Sequence, residues 1–263
     1  MGLEKTRAVA VGSRPLGEAD KLLTFYTREF GKLRGVAKSA RRVRSKFGGA
    51  LELFTYGQLV CFERPRSELV AVDHFDIIHP FQSLREDLER LGRGAWIVEC
   101  VTHLTADRDP HPALFGLLLR ALRALEGGAR PEQVTLCFAL RAADLTGHRP
   151  RLDRCHRCGK IPGRRVRFDP AGGGLLCADC PATGPGALFL SSHALSALRR
   201  LRTLRWDERL LVQFPLALEQ EMLTVIEGYI HALIGYAPRV DRFLEQIQLR
   251  EGINRLGEAR GER

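Results

Sequence analysis

Four of the seven cysteines form two pairs, Cys155-x2-Cys158 and Cys177-x2-Cys180, with 18 residues between them. No other feature constrains the fold so tightly. Two knuckles at this separation let four thiolates converge tetrahedrally on one soft divalent ion, the pattern of a structural zinc ribbon. Gly159 follows the first knuckle, where the backbone must turn under the metal. Four thiolates leave no open position for water, which argues for structure rather than catalysis. A redox dithiol or disulfides are poorer readings, because neither pair sits in a thioredoxin-like strand–helix context and the compartment reads as reducing. A zinc deaminase would need His- or Cys-x-Glu and then Pro-Cys-x-x-Cys. Cys61-Phe62-Glu63 matches the first half, but Leu176 precedes Cys177 and the two elements lie more than 110 residues apart. Cys61, Cys100 and Cys137 stand in apolar surroundings and read as core residues.

The ribbon interrupts a chain of two textures. Over residues 1–80, the runs Arg7–Val11, Leu22–Thr27, Leu33–Lys38, Leu51–Cys61 and Leu69–Ile78 have strand length and β-branched or aromatic content. Arg28-Glu29-Phe30-Gly31 connects the second run to the third, with Gly31 free to take a positive φ. Five short strands fit a small closed barrel, which leaves no exposed sheet edge. The oligonucleotide-binding (OB) barrel is the commonest such design with a basic face, although other small barrels give the same pattern. After Pro80 the spacing becomes helical. Phe81–Ala106, Ala113–Leu125 and Pro131 to about Thr146 read as helices, with Gly147 as a stop. Beyond the ribbon, Ser191 or Ser192 can cap Ala194–Leu204, and Asp207 can cap a helix through Phe214. Leu216–Ile234 is a longer apolar helix and Val240–Gln248 a short last one. The expected divisions are 1–80 barrel, 81–149 and 191–250 helical domain, 150–190 ribbon insert and 251–263 flexible tail.

Charge separates these pieces. The net charge of +10 divides into +5 for residues 1–80, zero for 81–150, +8 for 151–205 and −3 for 206–263. Two basic blocks around a neutral one indicate a polyanionic partner. From Arg28 to Lys46 there are eight basic residues, Arg28, Lys32, Arg34, Lys38, Arg41, Arg42, Arg44 and Lys46, against the single acid Glu29. A loop this basic between two barrel strands suits a phosphate backbone. Phe25, Tyr26, Phe30 and Phe47 lie near enough to offer bases a stacking surface. Strand alternation sends Phe25 and Tyr26 to opposite faces, so at most one of them faces outward and the other is core. In the ribbon, Arg151, Arg154, Arg157, Lys160, Arg164 and Arg165 surround His156, which is expected to be exposed because four cysteines already complete the site.

The chain lacks the motifs of catalysis. Gly159-Lys160 is followed by Ile161, so no Walker motif forms. There is no Gly-x-Gly-x-x-Gly after a strand, no His-Glu-x-x-His and no Gly-x-Ser-x-Gly. Gly172-Gly173-Gly174 is placed to shape the ribbon turn. The longest stretch free of formal charge, Cys180 to Leu198, holds Pro181 and Pro185 and cannot span a membrane. The opening MGLEKTRAVA carries no apolar signal segment, so a cytoplasmic location is the expectation.

Several motifs together resemble the bacterial recombination mediator family RecO. They are Gly17-Glu18-Ala19-Asp20-Lys21-Leu22-Leu23-Thr24, Tyr26-Thr27, Gly31-Lys32-Leu33, Ala37-Lys38, and Ala40-Arg41-Arg42 leading to Phe47-Gly48-Gly49. Phe168-Asp169 and Gly173-Gly174 before the second knuckle also match, as do Tyr229, Gly235, Pro238, Arg239 and Phe243-Leu244. Ser39 stands where that family usually has glycine. The resemblance implies an α+β multidomain chain: an N-terminal five-stranded OB-type β-barrel, then a mostly α-helical domain with an inserted four-cysteine zinc ribbon. It further implies a non-enzymatic protein that binds single- and double-stranded DNA and anneals complementary strands. Such a protein works with RecR and helps a RecA-type recombinase onto DNA coated with single-strand-binding protein, in the bacterial cytoplasm and at the nucleoid during repair. The acidic tail of single-strand-binding protein is the implied occupant of a groove on the helical domain, with Arg120, Arg123 and Arg141 as candidate edge residues. An RNA- or ribosome-associated factor could be built from the same parts. A metal-dependent nuclease would need a carboxylate–histidine cluster, which the sequence does not offer.

Overall fold

The computed structural model describes residues 2–63, 67–163, 166–184 and 186–235. The predicted helix Val240–Gln248, the tail 251–263, the family positions Pro238, Arg239, Phe243 and Leu244, and Arg164 and Arg165 lie outside the described residues.

Strands β1 (Leu3–Leu16), β2 (Asp20–Thr27), β3 (Gly31–Ala37), β4 (Tyr56–Phe62) and β5 (Val70–His79) close a barrel in the order β1-β2-β3-β5-β4. The long β1 serves two neighbours: residues 3–9 pair with β4, and residues 8–16 pair with β2 across a bulge at Ala10/Gly12. Closure comes from the parallel pairing of β3 with β5 at Gly35↔Val70 and Val36↔Ala71. Gly35 is needed there, because a Cβ would stand 2.8 Å from Val72 and 2.9 Å from Val70. This is the OB arrangement. Leu51–Thr55, expected to begin the fourth strand, instead forms turns, with Phe54 held at φ 73°. Its amide donates to the Ala10 carbonyl (2.9 Å), and the Ala10 amide donates to the Thr55 carbonyl (2.9 Å). Those two bonds fix Phe54 in a region that bulky residues rarely occupy.

The helical part opens with α1 (Ser83–Glu86) and α2 (Leu88–Leu104). One helix was expected across Phe81–Ala106, but Asp87 breaks it. Asp87 is extended, and its carboxylate accepts the Arg90 amide at 3.0 Å, capping α2. Helices α3 (Pro112–Glu126) and α4 (Pro131–Leu145) follow the expected spacing, each with proline in its first turn. The ribbon contributes β6 (Arg151–Cys155), β7 (Val166–Asp169), β8 (Gly174–Leu176) and β9 (Leu188–Leu190) in the order β6-β8-β7-β9. Then come α5 (Ser192–Thr203), capped by the Ser191 hydroxyl, α6 (Trp206–Leu211) and α7 (Leu216–Ile234). Asp207 does not cap α6. Arg205 takes that position and Glu208 accepts its amide at 2.7 Å, while Asp207 lies in the first turn. The helix stops at Leu211 rather than Phe214, ahead of Pro215, which biases its predecessor away from helical backbone. Among the described residues, no helix is long and apolar enough to cross a membrane.

Two cores result. Phe25, Leu33, Leu59, Val70 and Phe75 fill the barrel interior, with the Phe25 and Phe75 rings edge to face at 5.0 Å. The larger core runs through all the helices and also takes in Val9, Val11, Tyr26 and Phe54 from the barrel and Leu152, Phe168 and Leu175 from the ribbon. Phe25 and Tyr26 do face opposite ways, and both are fully buried, because Tyr26 enters the helical core, where Phe115 of α3 packs on it at 6.2 Å.

Gly31 sits at the junction. Its φ is 64°, and a Cβ there would collide with the backbone of Asp109. Gly31→Ala is expected to cost about 2–4 kcal/mol, from the left-handed backbone and the overpacking together. Gly17→Ala, also at positive φ but with nothing within 4 Å, is expected to cost only the backbone share, about 1–2 kcal/mol. Urea denaturation of both variants checks the difference.

Candidate metal centre and nucleic-acid interface

Cys155 ends β6, and the knuckle after it is closed by two backbone bonds. The Gly159 amide donates to the Cys155 carbonyl, and the Cys155 amide donates to the Lys160 carbonyl, each at 2.9 Å. Gly159 supplies the φ of 72° that this turn needs. The second knuckle follows β8, and Arg167 Nη2 donates to the Cys180 carbonyl at 2.9 Å. The four Sγ atoms of Cys155, Cys158, Cys177 and Cys180 all lie within 4.8 Å of one another. Cys158 Sγ and Cys177 Sγ are 3.7 Å apart. Sulfurs on a tetrahedral zinc, with bonds of about 2.3 Å, would be about 3.8 Å apart, so the donor set fits such an ion. Burial acts to raise the Cys155 thiol, but backbone amides of Cys158, Cys177 and Arg157 outweigh it and bring it down to about 6. Cys180 is pushed up by hydrogen bonding to the Cys177 side chain and by burial, to about 12. Four thiols this close resist ionising together unless a cation joins them.

The sequence placed His156 at the surface, but its side chain is only 7% exposed. Its Nε2 lies 3.1 Å from Asp169 Oδ2, which also accepts the Thr183 amide at 2.7 Å. Asp169 is fully buried. Burial works to raise its carboxyl, but these donors and the Gly172 amide hold it below the ordinary carboxylate range. Gly172 leaves room for the imidazole, which a Cβ there would strike. His156 and Asp169 thus tie the first knuckle to β7.

The basic run from Arg28 to Lys46 divides in two. Lys38, Arg41, Arg42, Arg44 and Lys46 lie on the segment between β3 and β4, most of them well exposed. Backbone bonds build that segment, from the Arg41 amide to the Ala19 carbonyl (2.9 Å) and from the Ser45 amide to the Arg42 carbonyl (3.0 Å). Ser39 turns it at φ 58°, a conformation that favours glycine, and the Asp20 carboxylate accepts the Ser39 amide at 2.7 Å. Arg41 Nη1 donates to the Gly17 carbonyl at 2.8 Å, and Lys46 pairs with Asp73 at 3.1 Å. Lys38, Arg42 and Arg44 form no ion pair among the described residues. Arg28 is exposed beside Glu29 at 3.8 Å. Lys32 and Arg34 point elsewhere. Lys32 Nζ donates to the carbonyls of Thr102 (2.6 Å) and Thr105 (3.1 Å) at the end of α2 and pairs with Asp107 at 3.0 Å. Arg34 pairs with Glu68 at 3.0 Å and Asp107 at 3.3 Å. Of the four aromatics offered for stacking, Phe25, Tyr26 and Phe47 are buried and Phe30 is half-buried.

On the helical domain, Arg120 and Arg141 share a cleft of about 320 Å³ with Arg202, Leu204, Arg205, Trp206 and Arg209. Arg123 is exposed but does not line it. Arg209 is 4% exposed, and burial lowers its pKa. Its Nε donates to the Leu204 carbonyl at 2.9 Å and its Nη2 to the Arg202 carbonyl at 3.2 Å, while Nη1 has no hydrogen-bond partner among the described residues. Arg202, Arg205, Arg209 and Trp206 were not singled out by sequence, whose only hint was the basic excess of residues 151–205.

Family models cover most of the chain: "Recombination protein O N terminal" matches residues 1–81 and "Recombination protein O C terminal" residues 85–242. A protein of Anaeromyxobacter sp. (strain Fw109-5), named DNA repair protein RecO, is 37% identical over 88% of this chain and 91% of its own length. Proteins of the same name from Rubrobacter xylanophilus and Roseiflexus sp. (strain RS-1) are 35% and 31% identical, covering 90% and 93% of this chain and 94% and 86% of their own lengths.

The Lys32 contacts carry a clear expectation. Lys32→Ala should lower the unfolding free energy by about 1.5–3 kcal/mol, the range for hydrogen bonds from a charged donor. Arg42→Ala should change it by less than about 0.5 kcal/mol, as for surface positions generally. Chemical denaturation of the two variants measures both.

Proposed function

The chain belongs to the RecO family of DNA repair proteins, and from that premise we propose a non-enzymatic mediator that binds and anneals DNA strands. It helps load a RecA-type recombinase onto DNA coated with single-strand-binding protein, together with RecR, in the cytoplasm and at the nucleoid during repair. The observation that carries this reading is the β3–β4 segment, where Lys38, Arg42 and Arg44 stand in solvent without acidic partners among the described residues. Guanidinium groups there can meet phosphates of single- or double-stranded DNA bidentately and without regard to sequence. With Phe25, Tyr26 and Phe47 buried and Phe30 half-buried, binding rests on phosphates more than on stacked bases. Arg28, Lys32 and Arg34 belong to the same basic run, but their placement makes Lys32 chiefly a structural link.

Annealing needs two polyanions to approach, and neutralised phosphates lower that repulsion. The arginine cleft around Arg209 takes the acidic tail of single-strand-binding protein. Its lining of arginines suits carboxylates, and Trp206 and Leu204 offer apolar contact beside them. The metal of the four-cysteine site is one zinc ion, which when bound supplies a structural cross-link between the knuckles. Cys155, Cys158, Cys177 and Cys180 hold it.

Neutralising Arg41, Arg42 and Arg44 together is expected to weaken binding to all DNA sequences alike, by at least tenfold. If about five phosphates are neutralised, log K against log salt should have a slope of about −3.5 on single strands. Fluorescence anisotropy over a salt series measures both, and an RNA competitor of the same length tests the preference for DNA. An unaffected triple variant, or an affinity indifferent to salt, contradicts this assignment. RNA that outcompetes DNA would favour an RNA-associated role.

Metal analysis is expected to give one zinc per chain. Cys155→Ser/Cys158→Ser should lose it and raise amide exchange across residues 150–190, while β1–β5 keep their protection. Unchanged exchange in the ribbon would count against a structural role for the ion.

A further inference from the structure

Beside the first knuckle, an open cleft of about 530 Å³ is lined by Arg149, Arg151, Arg154 and Arg202, with Asp153 as its one carboxylate. Three of the guanidiniums are held by neutral backbone. Arg151 donates to the Gly172 carbonyl at 2.8 Å, Arg154 to the Gly159 carbonyl at 3.3 Å and Arg202 to the Pro150 carbonyl at 3.4 Å. A carbonyl orients a guanidinium without cancelling its charge and leaves its remaining N–H groups free. Arg149, 64% exposed, pairs with Asp144 at 3.6 Å, and Asp153 is drawn toward Arg199 at 3.7 Å. The cleft therefore presents an excess of fixed positive charge to solvent. Unlike the cleft around Arg209, it has no large apolar side chain in its lining. That composition suits a phosphate backbone and offers little to the apolar residues of a peptide.

We propose that this cleft is a second nucleic-acid site, which takes the phosphate backbone of one strand while the β3–β4 segment holds another. The inference rests on the reading of the protein as a DNA-binding annealing factor. Its basis is independent of the barrel: four arginines set by the ribbon turns and by α5, in and beside the most basic block of the sequence. Two separate basic sites let one chain gather two strands without crowding both into one field. Arg202 lines this cleft and the one around Arg209, so a strand in the first would lie next to an anion bound in the second.

The test uses the zinc-loaded full chain and two non-complementary 30-nucleotide DNA strands, one with a donor dye and one with an acceptor. The wild-type protein should bring the dyes together. Arg149→Gln/Arg151→Gln/Arg154→Gln should bind either strand alone within threefold of wild type, yet lose the energy transfer and anneal complementary strands at least tenfold more slowly. Arg149→Lys/Arg151→Lys/Arg154→Lys, which keeps the charge, should recover most of both. Should the triple glutamine variant lose zinc, Arg149→Glu serves instead, because that side chain holds no part of the ribbon. It should slow annealing at least threefold. Wild-type energy transfer and annealing in a variant with full zinc content would overturn the proposal. So would a variant that loses affinity for a short polyglutamate peptide while its DNA behaviour stays unchanged, since the cleft would then be a peptide site. If wild type binds neither strand, the DNA-binding reading itself fails, and this inference with it.

Discussion

The structure depends on a shared core between barrel and helices. Val9 and Val11 of β1, Tyr26 of β2 and Phe54 of the β3–β4 segment bury their side chains among Trp96, Phe115 and their neighbours. Burying an aromatic or aliphatic side chain of this size contributes about 1.5–3 kcal/mol, so four such side chains join the two parts firmly. Polar contacts then set the register of the seam. Lys32 takes the carbonyls that the end of α2 leaves unsatisfied, and the lack of a side chain at Gly31 lets the Asp109 backbone lie against the β2–β3 turn. The basic segment is anchored separately, from within the barrel. Phe47, Ala50 and Leu51 enter the barrel's own core, while Arg41, Arg42 and Arg44 stay outside.

The ribbon follows the same logic with different chemistry. Its inner face belongs to the helical core through Leu152, Phe168 and Leu175, and the Phe168 and Tyr229 rings meet edge to face at 5.7 Å. Tyr229 Oη donates to the His148 carbonyl at 2.7 Å, just before β6 begins. The buried Asp169 carboxylate joins His156 to Thr183. The outer face is left to arginines whose guanidiniums rest on the carbonyls of tight turns. Thus the turns that bring the cysteines together also fix where positive charge stands.

Much of this was legible because it is local. The knuckle spacing anticipated the four-sulfur cluster, and the apolar period gave Leu216–Ile234 to the residue. Gly31 was expected to take a positive φ, and it does. The misses share one cause: each depends on what packs against a residue from elsewhere in the chain. Alternation could say that Phe25 and Tyr26 diverge, but not that α3 covers the second. Composition could mark Lys32 and Arg34 as basic, but not that Asp107 waits beside both. His156 looked superfluous to a four-cysteine site until Asp169 on β7 gave it a partner. Arg202, Arg205 and Arg209 meet Arg120 and Arg141 only because α5 and α6 fold back over α3 and α4. Ser39 is an intermediate case. The glycine usual at that position marked a backbone requirement, and the amide held by Asp20 shows how a serine meets it.

The proposed annealing activity joins complementary strands while single-strand-binding protein still covers them. It is measured by mixing two complementary oligonucleotides, each precoated with single-strand-binding protein, and following dye energy transfer as they anneal. With this protein present, the expected rate is at least tenfold above that of the coated strands alone. A rate equal to that background, from protein that carries its zinc and binds the bare strands, would contradict it.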